Sequence, residues 1–214
     1  DLEQKRKDNE DYWLGKQYSY DTEDSDHPLI NNLIFESLET FLPIITKQKA
    51  EPLVSSINME MTEIANKVRK QLAYWADKER LNLKVKKAVR FWALNFVGCL
   101  KMGWSMEKND IVVVPIKPCN LILDADSYID DTEYLGEYIG EYREDNAYNL
   151  IKRFPSKKSF IEQECKGKLA TKVKYIEWWT DEYVFWTLRD EVLNKIRNPH
   201  WNYDSTEETF DEYG

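Results

Sequence analysis

Histidine is scarce in this 214-residue chain: His27 and His200 are the only two, and both lie near the ends. A Ser–His or Cys–His pair would have to draw on one of them, and a structural zinc site needs clustered Cys and His ligands. Neither arrangement can be assembled from the sequence, so no catalytic residue and no metal site is expected. Cysteine is equally sparse. Cys99, Cys119 and Cys165 sit in separate segments and are odd in number, which predicts inert thiols in a reducing, cytosolic setting. Seven glycines leave no room for a Gly-rich phosphate loop. No apolar run approaches the roughly 18 residues of a membrane-spanning helix, and mean hydropathy is −0.68. The opening DLEQKRKDNEDYW has neither an initiator Met nor an apolar signal core, so no secretory route is expected.

What is present is apolar material and unevenly placed charge. Hydrophobic residues make up 42% and aromatic ones 14%, enough for a core and against wholesale disorder. The length suits one domain or a pair of small ones. The formal net charge of −9 arises from 39 acids and 30 bases. Residues 1–27, 101–200 and 201–214 are acidic, whereas 28–100 are basic. The bases concentrate at Lys67, Arg69, Lys70, Lys78, Arg80, Lys84, Lys86, Lys87 and Arg90. Residues 124–145 hold nine acids and one base, Arg143. Such separation of sign speaks to partners rather than to fold.

The periodicity predicts an α+β chain: amphipathic helices first, then a hairpin and a mixed or antiparallel strand meander with short helices. Residues 1–27 read as an acidic flexible segment, 28–100 as helical, 101–200 as α+β, and 201–214 as an acidic tail at a truncation point. Asp26 with Pro28 signals a helix start. Leu29, Ile30, Leu33, Ile34, Leu38, Phe41, Leu42 and Ile45 then recur at helical spacing, with a kink expected at Pro43 and an end at residues 50–52. Ser55 or Ser56 is expected to cap a second helix with Ile57, Met61, Ile64, Val68, Leu72 and Trp75 buried. A third, over residues 83–100, is expected to turn Val85, Val89, Trp92, Ala93, Phe96 and Cys99 or Leu100 inward. A hairpin follows, with residues 104–107 in one strand and 111–114 buried on both faces in the other, closed by Pro115 and Pro118. Strands are predicted at Leu121–Leu123 and 138–142. Helices capped by Asp145 and Ser156 come next, and then a meander at 172–179, Tyr183–Leu188 and 191–196.

Two constellations carry the candidate contacts. Lys84, Lys86, Lys87 and Arg90 form the densest part of the basic block, and Asp124, Asp126, Asp130 and Asp131 lead the acidic stretch. The basic helices read either as solvated outer faces or as contacts for phosphate or an acidic protein surface. In a cyclic assembly the two faces of each subunit differ, so the two charge blocks can meet across a head-to-tail interface. The acids lack the glycine turn and closing glutamate of a calcium loop and are expected to be solvated or partner-facing. Of eight tryptophans, Trp75, Trp92, Trp104, Trp178 and Trp186 are expected in the core. Trp178 and Trp179 should point to opposite faces of a strand, leaving one at an interface. Stacking of single-stranded nucleic acid on the meander is disfavoured in sequence, since Glu177, Asp181 and Glu182 interleave its aromatics.

The order of segments resembles a known family. NNLIFESLETFLPIITKQKAEPLV, then basic helices, then GWSMEKNDIVVVPIKPCNLILDADS, EYIGEYREDNAYNLIKRFP, KYIEWWTDEYVFWTL and NPHWNYD together resemble the N-terminal part of portal (head-to-tail connector) proteins of tailed bacteriophages. The resemblance covers residues 28–203 and rests on order and spacing. It implies wing-side helices, a hairpin and a meander ahead of a stem helix lying beyond Gly214. It further implies a ring, usually of twelve subunits, at one capsid vertex of the virion, assembled in the host cytoplasm. Such a ring docks terminase, capsid or scaffold proteins and tail-connector proteins, and passes double-stranded DNA; no cofactor and no catalytic residue is implied. A net negative chain suits a conduit, since a basic lining would retain phosphates. From the residues alone, two other readings stay open: a cytosolic α+β module docking an acidic partner through its basic helices, and a metal nuclease using Asp124 and Asp126.

Overall fold

The computed structural model describes residues 2–16, 31–47, 53–56, 61–129 and 133–200, and the chain divides into two units, residues 1–119 and 120–214. The first unit opens on α1 (Leu2–Trp13), where the sequence predicts a flexible segment. Polar side chains hold this helix in place. Arg6 Nη1 donates to the Pro118 carbonyl at 2.7 Å and Asn9 Nδ2 to the Leu94 carbonyl at 2.9 Å. The Trp13 ring packs 5.9 Å from Phe35 and under the Arg90 guanidinium. Fixation by side-chain-to-backbone bonds leaves no periodic apolar signal.

α2 (Leu33–Ile45) starts where the Asn32 carboxamide oxygen accepts the Phe35 N–H, satisfying one of the first turn's unpaired donors. Pro43 sits inside it and Leu42 is fully buried. The expected signals at Asp26, Pro28, Leu29, Ile30 and residues 50–52 lie outside the described residues, as does Ile57. α3 (Thr62–Lys78) begins beyond Ser55 and Ser56, which are non-helical. Its stripe is not buried as expected. Met61, Ile64, Val68 and Leu72 are exposed, no α3 side chain is buried, and half-buried Trp75 donates its indole N–H to the Ile111 carbonyl. An apolar stripe records that a face is to be covered, not that the same unit covers it.

α4 (Leu81–Asn95) buries Ala88 and Phe91, so its inward face is turned by one residue from the expected stripe, about 100°. Trp92 and Phe96 are exposed, and Cys99 and Leu100 belong to the next strand. The helix stops because Phe96 takes the left-handed conformation (φ 58°) that helix ends usually assign to glycine. β1 (Cys99–Ser105) and β2 (Asp110–Ile116) form an antiparallel hairpin longer than expected, with Pro115 inside β2 opposite Leu100 rather than closing it. Val113 and Ile116 are buried while Ile111 and Val114 are exposed, so each face of the run is covered at one position and open at another, and the run is not buried on both faces. α4 packs against both strands, so the hairpin belongs with the helices in the first unit, which runs to Cys119.

The second unit is a five-stranded antiparallel sheet. Its strands are β3 (Leu121–Leu123), β6 (Tyr138–Asn146), β7 (Lys172–Thr180), β8 (Tyr183–Leu188) and β9 (Glu191–Arg197), in the order β3-β6-β7-β8-β9. A two-residue pair, β4 (Tyr128–Ile129) and β5 (Tyr134–Leu135), stands apart as its own sheet. α5 (Ala147–Arg153) follows Asn146, and the Asp145 carboxylate accepts from the Asn146 N–H and from Asn149 Nδ2. Ser156 falls in a 3-10 turn ahead of α6 (Lys158–Glu164). α5 and α6 cover one sheet face, where Ala147, Leu150, Phe154, Ile161, Cys165, Val173, Tyr175, Val184, Trp186, Leu188 and Leu193 form the core. The fold is α+β, helices first and an antiparallel meander after. Alternation along β7 puts Tyr175, Glu177 and Trp179 on the core face and Lys174, Ile176 and Trp178 on the other. Both adjacent tryptophans are half-buried; Trp186 is buried, whereas Trp92 and Trp104 are exposed instead of core.

Candidate functional site

The four bases singled out in sequence all lie on α4. Lys84 bonds Glu79 at 2.5 Å, and Arg90 Nη2 lies 2.8 Å from Glu39 with its guanidinium over Trp13. Lys87 sits 5.7 Å from the Phe91 ring centre and is exposed, while Lys86 is half-exposed. Half of the cluster is therefore committed within the unit. The four acids belong to the second unit. Asp124 is a loop-closing residue: its Oδ1 accepts the Asp126 N–H at 3.2 Å and its Oδ2 the Glu137 N–H at 2.9 Å. Asp126 is exposed, and Asp130 and Asp131 lie outside the described residues. Among the described residues, no three His, Cys, Asp or Glu side chains group as a cation site, and no helix is long and apolar enough to cross a membrane.

Two ion pairs lock the first unit electrostatically. The hydrogen bond from Lys84 holds the Glu79 carboxylate below its ordinary pKa, and the one from Lys78 does the same for Asp110 while raising Lys78. A carboxylate depressed in the folded state stabilises above its unfolded pKa, and that contribution is lost as pH falls through the folded value. The thermal midpoint of the chain is thus expected to fall on acidification from about pH 5 to pH 2. Lys84→Met is expected to flatten that fall, as checked by calorimetric scans of both proteins.

An enclosed polar constellation surrounds Glu177. This carboxylate is 2% exposed on the core face. Its Oε1 accepts the Trp179 indole N–H at 2.8 Å; its Oε2 accepts from Arg143 Nη1 at 2.7 Å and from the Trp186 indole N–H at 3.1 Å. Arg153 approaches to 3.9 Å and donates to the Tyr175 hydroxyl at 3.3 Å. Burial raises the Tyr175 pKa, keeping the phenol protonated at neutral pH. Each oxygen is engaged, so the arrangement anchors β6, α5, β7 and β8 to one another. Period-two alternation with the β7–β8 register was the available signal, since it sets Glu177 against Trp186.

The surface feature that stands out is apolar. α2 exposes Leu33, Ile34, Phe35, Phe41, Ile44 and Ile45, and α3 exposes Ile64, Val68 and Leu72 at four-residue intervals. The hairpin exposes Met102, Trp104 and Ile111 on one face and Val114 on the other. Phe96, 86% exposed in its left-handed conformation, borders an open groove of about 530 Å³ that Tyr12, Leu33, Ile34 and Leu38 also line. Monomeric soluble proteins rarely leave large contiguous apolar patches uncovered. Comparison with known proteins matches no family model and no curated protein to this chain.

Proposed function

We propose that the chain belongs to a ring-forming portal subunit, a structural conduit for double-stranded DNA at a viral capsid vertex. The observation that carries this reading is the uncovered apolar surface of the first unit, above all α3, a 17-residue helix with an apolar stripe and no buried side chain. A head-to-tail ring covers two different faces of every subunit and so gives such a surface a partner in each copy. The segment order of the sequence supports the same reading. Contact between subunits then rests more on these apolar side chains than on the charge pairing of α4, where Lys84 and Arg90 already have partners within the unit. Terminase, capsid and tail proteins are the further partners this reading entails, in the virion and in the host cytoplasm during assembly.

Native mass spectrometry and negative-stain imaging of the full-length protein test it. Closed rings with a central hole are expected, and Val68→Glu with Leu72→Glu is expected to leave monomers. Exposed substitutions of this kind change monomer stability by only about 0.5 kcal/mol, so loss of rings would report the interface and not the fold. A wild-type protein that stays monomeric across the accessible concentration range overturns the reading.

A further inference from the structure

On the sheet face away from α5 and α6, Gly140 of β6 lies opposite Trp178 of β7. A Cβ at residue 140 would come within 2.9 Å of both Cε3 and Cζ3 of that indole. The same ring system donates its N–H to Thr187 Oγ1 on β8 at 2.9 Å. One side chain thus reaches the strands on both sides of its own, which requires the indole to lie across the sheet. Phe185, the cross-strand partner of Trp178, is nearly parallel to it (22°, centroids 6.2 Å apart), and Tyr138 stands edge-on at 76°. The three rings make a shelf with one upright edge.

Cations border this shelf. Lys195, opposite Phe185, places its ammonium 3.5 Å from the Tyr183 ring centre, and Lys174 places its own 4.2 Å from that of Tyr142. Both lysines are exposed. Of the strand positions sharing this face by register, Glu144 is the single acid, and it is paired with Lys172 at 3.3 Å. Glu177 points to the opposite face, and Asp181 and Glu182 sit in the β7–β8 turn. The acids that interleave these aromatics in sequence are therefore absent from the shelf itself.

We propose that this face binds single-stranded nucleic acid, with bases stacked on Trp178 and Phe185 and phosphates met by Lys174 and Lys195. The ligand has to be flat and apolar on its faces and anionic at intervals, which unpaired bases joined by phosphates are. A sugar surface would need free hydrogen-bonding groups. Here the Thr187 oxygen receives the indole N–H, and the Thr180 hydroxyl both donates to the Tyr183 carbonyl and accepts its N–H. A second copy presenting the same face would set ammonium against ammonium. The proposal is independent of ring formation and is read from a different unit.

Fluorescence anisotropy of the full chain with a labelled oligothymidylate of about 12 nucleotides tests it, against a duplex of equal length. Tighter binding of the single strand, with quenching of tryptophan emission and weakening as salt rises from about 50 mM, is the expected result. Trp178→Ala is expected to lower affinity about tenfold or more. Phe185→Leu, which keeps an apolar side chain at the position while removing the ring, should lose affinity in the same direction, and Lys195→Gln should flatten the salt dependence. No binding at low salt, a duplex held as tightly as the single strand, or affinities unchanged in both Phe185→Leu and Lys195→Gln overturns the proposal. So does self-association abolished by Phe185→Leu in a protein that ignores the oligonucleotide. Rings without oligonucleotide binding would remove this inference and leave the ring reading standing.

Discussion

Glu177→Ala is expected to remove about 3 kcal/mol from the stability of residues 120–214, the lower end of the 3–5 kcal/mol range for breaking a buried ion pair. The side chain is one of the most enclosed in the unit, yet its partners Arg143 and Arg153 keep 38% and 40% of their own side-chain surface exposed. Solvent therefore takes up part of the charge released. The indole N–H groups of Trp179 and Trp186 lose their acceptor as well, and the buried one carries a desolvation cost of its own. Urea denaturation should register the loss as a lower midpoint at unchanged slope. Glu177→Gln, which keeps an acceptor of the same shape, should lose less. A carboxylate that merely decorated the surface would give no difference between the two variants.

Gly140→Val is expected to cost about 1–3 kcal/mol, the range for overpacking a filled site. The new side chain meets Cε3 and Cζ3 of Trp178 at 2.9 Å and the Ile122 Cβ at 3.1 Å. An indole has no flexible end to move aside. The ring has to lift from the sheet and give up its bond to Thr187, which should shift tryptophan emission toward that of a solvated indole. Trp178→Ala removes the obstructing ring, so the double variant should be less destabilised than the sum of the single ones. Strict additivity in a thermal or urea series would show that the indole does not lie over Gly140.

Legibility from sequence followed the physics of each element. β7 and β8 were readable because one of their faces is dry, and alternation survives intact from Tyr183 to Leu188. α1 was unreadable because bonds from Arg6 and Asn9 to distant carbonyls leave no periodic trace. On α4 two stripes one residue apart, Val85–Val89–Trp92 and Ala88–Phe91, are both apolar, and only the packing partner selects between them. The exposed aromatic at the end of that helix carries no glycine to announce the left-handed turn. Asp124 could not be told from its acidic neighbours, since its role depends on the Glu137 N–H thirteen residues away. Glu177, counted in sequence against stacking, belongs to the other face; a period of two separates what adjacency joins. Gly140 was the overlooked signal, because an isolated glycine inside a strand marks close approach of a neighbouring group.

The strand order also fixes how the second unit would respond to force along the chain. β3, through which the chain enters from residue 119, holds to β6 by three residue pairs at the edge of the sheet, whereas β6 and β7 share nine. Tension arriving from the N-terminal side loads that short edge first. The four remaining strands keep their ladders and the helices packed on them. The first few ångströms of extension would therefore be taken up at residues 121–123, as a compliant joint ahead of a stiff body.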